Sequence, residues 1–142
     1  MITFRSPADG DIIKNPDIAF LRILILYVGE EYWSFGSGQG EFTYVENDIN
    51  NEIVITYSEG LGFFLEFDSN NEPVHVSLGK GNFEDTVSPE VGGDPWLLPT
   101  KFFVTHEETL LVIEEFLKTR ERTSQITWGI ESEQNWHYGY ED

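Results

Sequence analysis

The residue types able to carry chemistry are unevenly supplied in these 142 residues. Cysteine is absent, which excludes disulfides, thiolate metal sites and a cysteine nucleophile. His75, His106 and His137 are far apart in the chain and form neither an i, i+4 ligand pair nor a His-Glu-x-x-His segment. Gly36-Ser37-Gly38-Gln39-Gly40 is rich in glycine. A phosphate cradle, however, leads from a strand into a helix and often carries a lysine. Here no lysine follows, the next segment has strand character, and Glu30, Glu31 and Glu41 repel phosphate. A tight turn entering a hairpin is the expectation. Ser37 lacks a nucleophile elbow, because Phe35 and Gln39 stand where Gly-x-Ser-x-Gly needs glycine.

Carboxylates are the abundant group: 26 Asp and Glu face 8 Lys and Arg, for a net charge of −18. In so acidic a chain neighbouring carboxylates are commonplace and do not by themselves specify an acid–base pair. Their distribution says more. From Ile23 to Gly79 there is no Lys or Arg, while Glu30, Glu31, Glu41, Glu46, Asp48, Glu52, Glu59, Glu66, Asp68 and Glu72 all fall there. The end of the chain adds Glu131, Glu133, Glu141 and Asp142 around the aromatic run Trp136-His137-Tyr138-Gly139-Tyr140. Such a field repels nucleic acid and anionic membranes and speeds encounter with a basic partner. The candidate contacts are therefore Glu41, Glu46, Asp48, Glu52, Glu59, Glu66, Glu131 and Glu133 for steering, with Trp136, Tyr138 and Tyr140 as anchors. No catalytic residue, metal ligand or cofactor site is assigned.

The elements that position these residues follow from periodicity. Ile2 to Phe4 is strand-like. Asn15-Pro16-Asp17 supplies a cap, a first-turn proline and a dipole-complementing acid. A helix is expected from Pro16 to Tyr27, stopped by Gly29, and heavily buried because it is apolar nearly all round. Four short strands are expected at Glu41 to Glu46, Glu52 to Tyr57, Leu61 to Phe67 and Pro73 to Leu78, joined by short turn-prone links into a meander. Gly79 to Thr100, with four glycines and three prolines, predicts a long ordered loop around Trp96, followed by a strand at Lys101 to Val104. Thr105 and Glu108 have capping-box spacing, so a second helix should span His106 to Lys118, burying Leu110, Ile113, Phe116 and Leu117. Lys118, Arg120 and Arg122 then lie where a helix C-terminus favours cations. Gln125 to Ile130 closes the set as a strand. The fold class is α+β: an antiparallel meander of about five to seven strands with two helices on one face. The length suits one domain over residues 1–142, with 131–142 as an acidic aromatic tail. No stretch is long and apolar enough to span a membrane, and no export signal is recognised.

Gly92-Gly93-Asp94-Pro95-Trp96-Leu97-Leu98-Pro99, then Lys101-Phe102-Phe103-Val104, then a helix ending before Ile126-Thr127-Trp128-Gly129, resembles the C-terminal part of the first numbered immunity family of bacterial polymorphic toxin systems. Tyr32-Trp33-Ser34-Phe35-Gly36-Ser37-Gly38 is similar to its N-terminal part. Where members often carry a Gly and then an Arg-Pro pair, this chain has Arg120 and Thr123 in the Gly and Pro places. A chain with no cysteine and no recognised export signal reads as cytoplasmic, and the resemblance implies a non-catalytic protein. It would bind a cognate toxin, mostly of deaminase type, one to one, and block its basic active-site surface. It also implies structural roles for Trp96 and Trp128. Two other readings stay open at this stage: a small metal-dependent or acid–base hydrolase built from scattered His and Glu, and an acidic adaptor for basic partners.

Overall fold

A computed structural model describes every residue except 8–9, 34–37, 71, 92–93, 135 and 137–142. In chain order the elements are β1 (Ile2–Arg5), β2 (Ile12–Lys14), α1 (Ile18–Leu26), α2 (Glu30–Trp33), β3 (Gln39–Glu46), β4 (Ile49–Ser58), β5 (Gly62–Ser69) and β6 (Glu72–Leu78). There follow the two-residue strands β7 (Thr86–Val87), β8 (Glu90–Val91), β9 (Asp94–Pro95), β10 (Leu98–Pro99) and β11 (Phe103–Val104), then α3 (His106–Thr119) and β12 (Thr127–Ile130). The main sheet is antiparallel and runs β12-β6-β5-β4-β3-β1-β2, with β11 also paired to β5. The α+β meander with helices on one face is thus present. Among the described residues no helix is long and apolar enough to cross a membrane.

Alternation along β3, β4 and β5 builds the core. Phe42 and Tyr44, Ile53 and Ile55, and Phe63, Leu65 and Phe67 point to one face. There they pack with Leu21, Leu24 and Ile25 of α1 and Leu110, Val112, Ile113 and Phe116 of α3. Trp33 is fully enclosed at the end of α2 and donates its indole N–H to the Leu24 carbonyl at 3.1 Å. The α3 capping box forms as its spacing predicts: Glu108 N–H donates to Thr105 Oγ1 and Thr105 N–H to Glu108 Oε1. Leu117, expected in the buried stripe, is half-buried.

Three local expectations are corrected. The cap of α1 is Asp17, whose carboxylate accepts from Ala19 N–H, and the helix starts at Ile18. Asn15 instead takes a left-handed φ of 49° and its side chain accepts from Ile2 N–H, fastening β1 to the turn after β2. The 101–104 strand is only half a strand: Thr100–Phe102 is a 3₁₀ turn and β11 follows it. And α1, although apolar nearly all round, buries only Leu21, Leu24 and Ile25 fully. Strand β2 is an additional edge element whose three residues are too few to show a period.

The opposite sheet face carries a second, smaller core. The segment from Gly79 to Phe103 folds back over the β5–β6 end, with β7 paired to β10 and β8 to β9. It gathers Phe64, Val76, Leu98, Phe102 and Phe103, flanked by Phe83 and Trp96. Ser77, wholly buried, ties the layers together: Oγ donates to the Phe102 carbonyl at 2.6 Å and accepts from Leu65 N–H at 3.0 Å. Backbone passes so close here that a Cβ on Gly79 would run into the Phe103 carbonyl, and one on Gly62 into that of Val104.

Gly79→Ala should therefore cost about 1–3 kcal/mol or more, because a rigid carbonyl must yield. Gly29→Ala meets nothing within 4 Å and needs no unusual φ, so it should stay within about 0.5 kcal/mol of the parent or gain slightly. Urea midpoints of the two variants check this, and equal midpoints would refute the close-packing account.

Candidate interaction face

The same alternation that buries the aromatics turns a second set of side chains outward. On β3 it presents Glu41 and Thr43, on β4 Glu52 and Val54, and on β5 Glu66 and Asp68. The register sets them in two rows. One runs Arg5, Glu41, Val54, Glu66 and Val76 across β1, β3, β4, β5 and β6. The next runs Lys14, Thr3, Thr43, Glu52 and Asp68 across β2, β1, β3, β4 and β5. The second core covers Phe64 and Val76 on this face, whereas β1, β3, β4 and the Glu66–Asp68 part of β5 carry the open part. Four carboxylates therefore share one sheet surface, with Val54 between them.

The charges on this surface are incompletely balanced. Arg5 Nε lies 3.1 Å from Glu41 Oε2, a half-exposed pair. Glu52 and Asp68 sit directly opposite each other, an arrangement that disfavours both being charged. Partial burial first, then the charges of Glu41 and Asp68, raise the Glu52 carboxyl above the ordinary carboxylate pKa. Glu52 and Asp68, with Asn50 and Asn70, line a shallow cleft of about 170 Å³. Ionised carboxylates only accept hydrogen bonds, and the two amides add carbonyl acceptors. The chemistry of the face is thus acceptance from cationic donors, for which guanidinium and ammonium groups are the fitting counterparts.

The candidates named from sequence divide among several places. Glu41, Glu52 and Glu66 come together here. Glu46 ends β3 and Glu59 stands in the turn just after β4, where they accept from the hydroxyls of Tyr44 and Tyr57 respectively, on the helix side. The Glu46 bond, with burial, raises the Tyr44 pKa. Asp48 occupies the two-residue β3–β4 turn beside Asn47, whose φ is 54°, and its carbonyl accepts from the Asn70 amide. Glu131 and Glu133 form a 3₁₀ turn after β12, with Glu131 half-buried and Glu133 exposed. Trp136 packs back onto the protein: its ring meets Phe102 edge-on at 4.8 Å and its indole N–H donates to the Leu97 carbonyl at 3.1 Å. Tyr138 and Tyr140 lie outside the described residues.

Asp68 was missed as a site residue although its signal was present, since it stands two residues after Glu66 on the same strand face. Asn50, Asn70 and Arg5 carry no such signal, because only the hairpin register brings them alongside. His75 bonds the Pro73 carbonyl through Nδ1 at 2.8 Å, and His106 packs edge-on to Tyr57 and Phe63. Of the glycine-rich stretch, 36–37 lie outside the described residues; Gly38 has a φ of 75° and Gln39 opens β3, so a strand follows. Among the described residues no group of three His, Asp or Glu is placed to hold a metal ion.

A carboxyl whose folded pKa is raised contributes stability in acid, which is lost as pH rises through the folded value. Glu52→Gln removes the unfavourable charge at neutral pH. It should stabilise the protein near pH 7 by up to about 1 kcal/mol, discounted for partial exposure, with the gain shrinking toward about pH 4. Urea titrations at the two pH values check this; a destabilised variant at neutral pH, or a gain that grows in acid, would contradict the stated electrostatics.

No protein-family model matches this chain, and no curated protein matches it.

Proposed function

We propose that this protein is an immunity protein that neutralises a cognate bacterial toxin by laying its acidic sheet face over the toxin's cationic active-site or substrate cleft. The observation that carries this reading is the convergence of Glu41, Glu52, Glu66 and Asp68 on one open surface of a chain with net charge −18. An enzyme that acts on nucleic acid must present a basic groove to its substrate. A rigid sheet bearing carboxylates at regular cross-strand spacing matches such a groove as the phosphates of a nucleic acid do. Long-range attraction raises the association rate, and desolvated contacts then set the residence time.

The toxin class proposed is a nucleic-acid-targeting deaminase, and this rests on the family resemblance alone. The site of action proposed is the cytoplasm of the producing cell, with one immunity protein per toxin domain. The open sheet face carries the binding and no bond is made or broken by this chain.

The test uses the polypeptide encoded beside this gene, where an immunity protein's toxin is expected. Cells expressing that polypeptide should be rescued by this protein, and the two should co-purify. Neutralising Glu41, Glu52 and Glu66 together as glutamines should slow association about tenfold or more and flatten its salt dependence. Removing the same number of charges from exposed or half-exposed sites elsewhere, Glu107, Glu115 and Glu121, should have a clearly smaller effect. Equal losses from both triple variants would reduce the face to bulk charge, and absence of any complex would end the proposal.

A further inference from the structure

Trp136 contacts both sides of the second core. Above the sheet lies a cover formed by Gly79–Val91 and Asp94–Phe102, and its hydrogen bonds run within itself. Strand β7 pairs with β10 and β8 with β9, Trp96 N–H donates to the Pro89 carbonyl at 3.0 Å, and Thr100 N–H donates to that of Asp85 at 2.8 Å. The two ends of the cover close on each other, Gly79 N–H donating to the Lys101 carbonyl at 2.7 Å, and Ser77 ties Phe102 to β6. A further tie comes from Trp136, which follows the Glu131–Glu133 turn. Its indole N–H donates to the Leu97 carbonyl at 3.1 Å. Its ring lies edge-on to Phe102 at 4.8 Å and to Phe64 at 6.2 Å. One side chain thus touches the cover through Leu97 and Phe102 and the sheet beneath it through Phe64.

Two-residue strands hold little by themselves, so the cover depends on its apolar underside. Phe83, Trp96, Leu98 and Phe102 gather there with Phe64 and Val76. The larger cluster, which joins α1 and α3 to the other sheet face, shares no buried residue with this one. The smaller can therefore part while the larger stays packed. We infer that the cover opens as a unit of its own, and that Trp136 is the latch that keeps it shut. Opening bares Phe64 and Val76. Phe64 stands two residues before Glu66 on the same side of β5, and Val76 is directly opposite Glu66 on β6. The bared strip is continuous with the acidic face. Closed, that side of the sheet offers carboxylates around Val54; open, it adds an apolar floor beside them.

Hydrogen exchange of the full chain along a urea series below the unfolding transition separates the two units. The bonded amides of Trp96, Thr100 and Lys101 should exchange through an opening with a smaller urea dependence than the α3 amides. Trp136→Ala should speed these cover amides about tenfold or more. Trp136→Phe keeps an aromatic ring and loses the bond to Leu97, so it should speed them about threefold. Ile113→Val, in the main core, should speed the α3 amides about three- to tenfold and leave the cover amides within about twofold, because the main core is intact whether the cover is open or shut. Trp136→Phe, Ile113→Val and the parent decide the matter if Trp136→Ala does not fold. The same rate and urea dependence for cover and α3 amides in the parent, equal acceleration of both sets by Ile113→Val, or cover amides unmoved by the Trp136 variants would each overturn the proposal.

Discussion

A slip of one residue between β3 and β4 would turn Phe42 and Tyr44 to water and drive Glu41 and Thr43 into the core. Everything else in the molecule depends on that register. The side-chain period of a strand is two, so pairing fixes which face each residue serves. Here the alternative is heavily penalised, because a buried carboxylate without a partner costs several kcal/mol while exposed aromatics lose their transfer free energy. The short Asn47-Asp48 turn, with Asn47 in the left-handed region, holds the hairpin to the one pairing in which Glu46 meets Ile49. The apolar core and the acidic face are therefore a single consequence of one constraint.

The two faces of the sheet are closed differently. On one, α1 and α3 supply the cover, and their apolar stripes meet Phe63, Leu65 and Phe67 of β5. On the other, the segment after β6 supplies it only over Phe64 and Val76. Closure there requires backbone to lie on backbone, which is why glycine stands at 62 and 79 and why Ser77 bridges strand and turn. The uncovered remainder of that face is the acidic surface. Arg120 shows a related compromise at the end of α3. It adopts φ 65°, a conformation suited to glycine, yet its guanidinium lies over the Tyr44 ring and its carbonyl accepts from the Asn51 side chain at 2.8 Å. The contacts of a long side chain offset the backbone strain that a glycine would avoid.

Much of this was legible in the chain itself. The alternation of Phe63, Leu65 and Phe67 with Glu66, the Thr105 and Glu108 pair and the turn residues between strands determine the class of fold and the sidedness of each element, because they depend on local geometry alone. The acidic character of Glu41, Glu52 and Glu66 was legible too. Their convergence needed the strand pairing, and so did the separation of Glu46 and Glu59, which lie on the other side, bonded to Tyr44 and Tyr57. Trp136 was equally ambiguous as a word in the sequence; its place against Phe102 and Phe64 is set by a hydrophobic cluster assembled from four distant segments.

Composition and period determined how many layers this protein needs and which residues each strand offers to either side. Tertiary structure alone decided which carboxylates are neighbours, which half of the outer face is roofed by the 79–103 segment, and that α1 keeps Phe20, Ile23 and Tyr27 uncovered. The reason is physical: local patterning is read over a few residues of backbone geometry, whereas proximity across strands and the supply of covering surface depend on where the rest of the chain is placed.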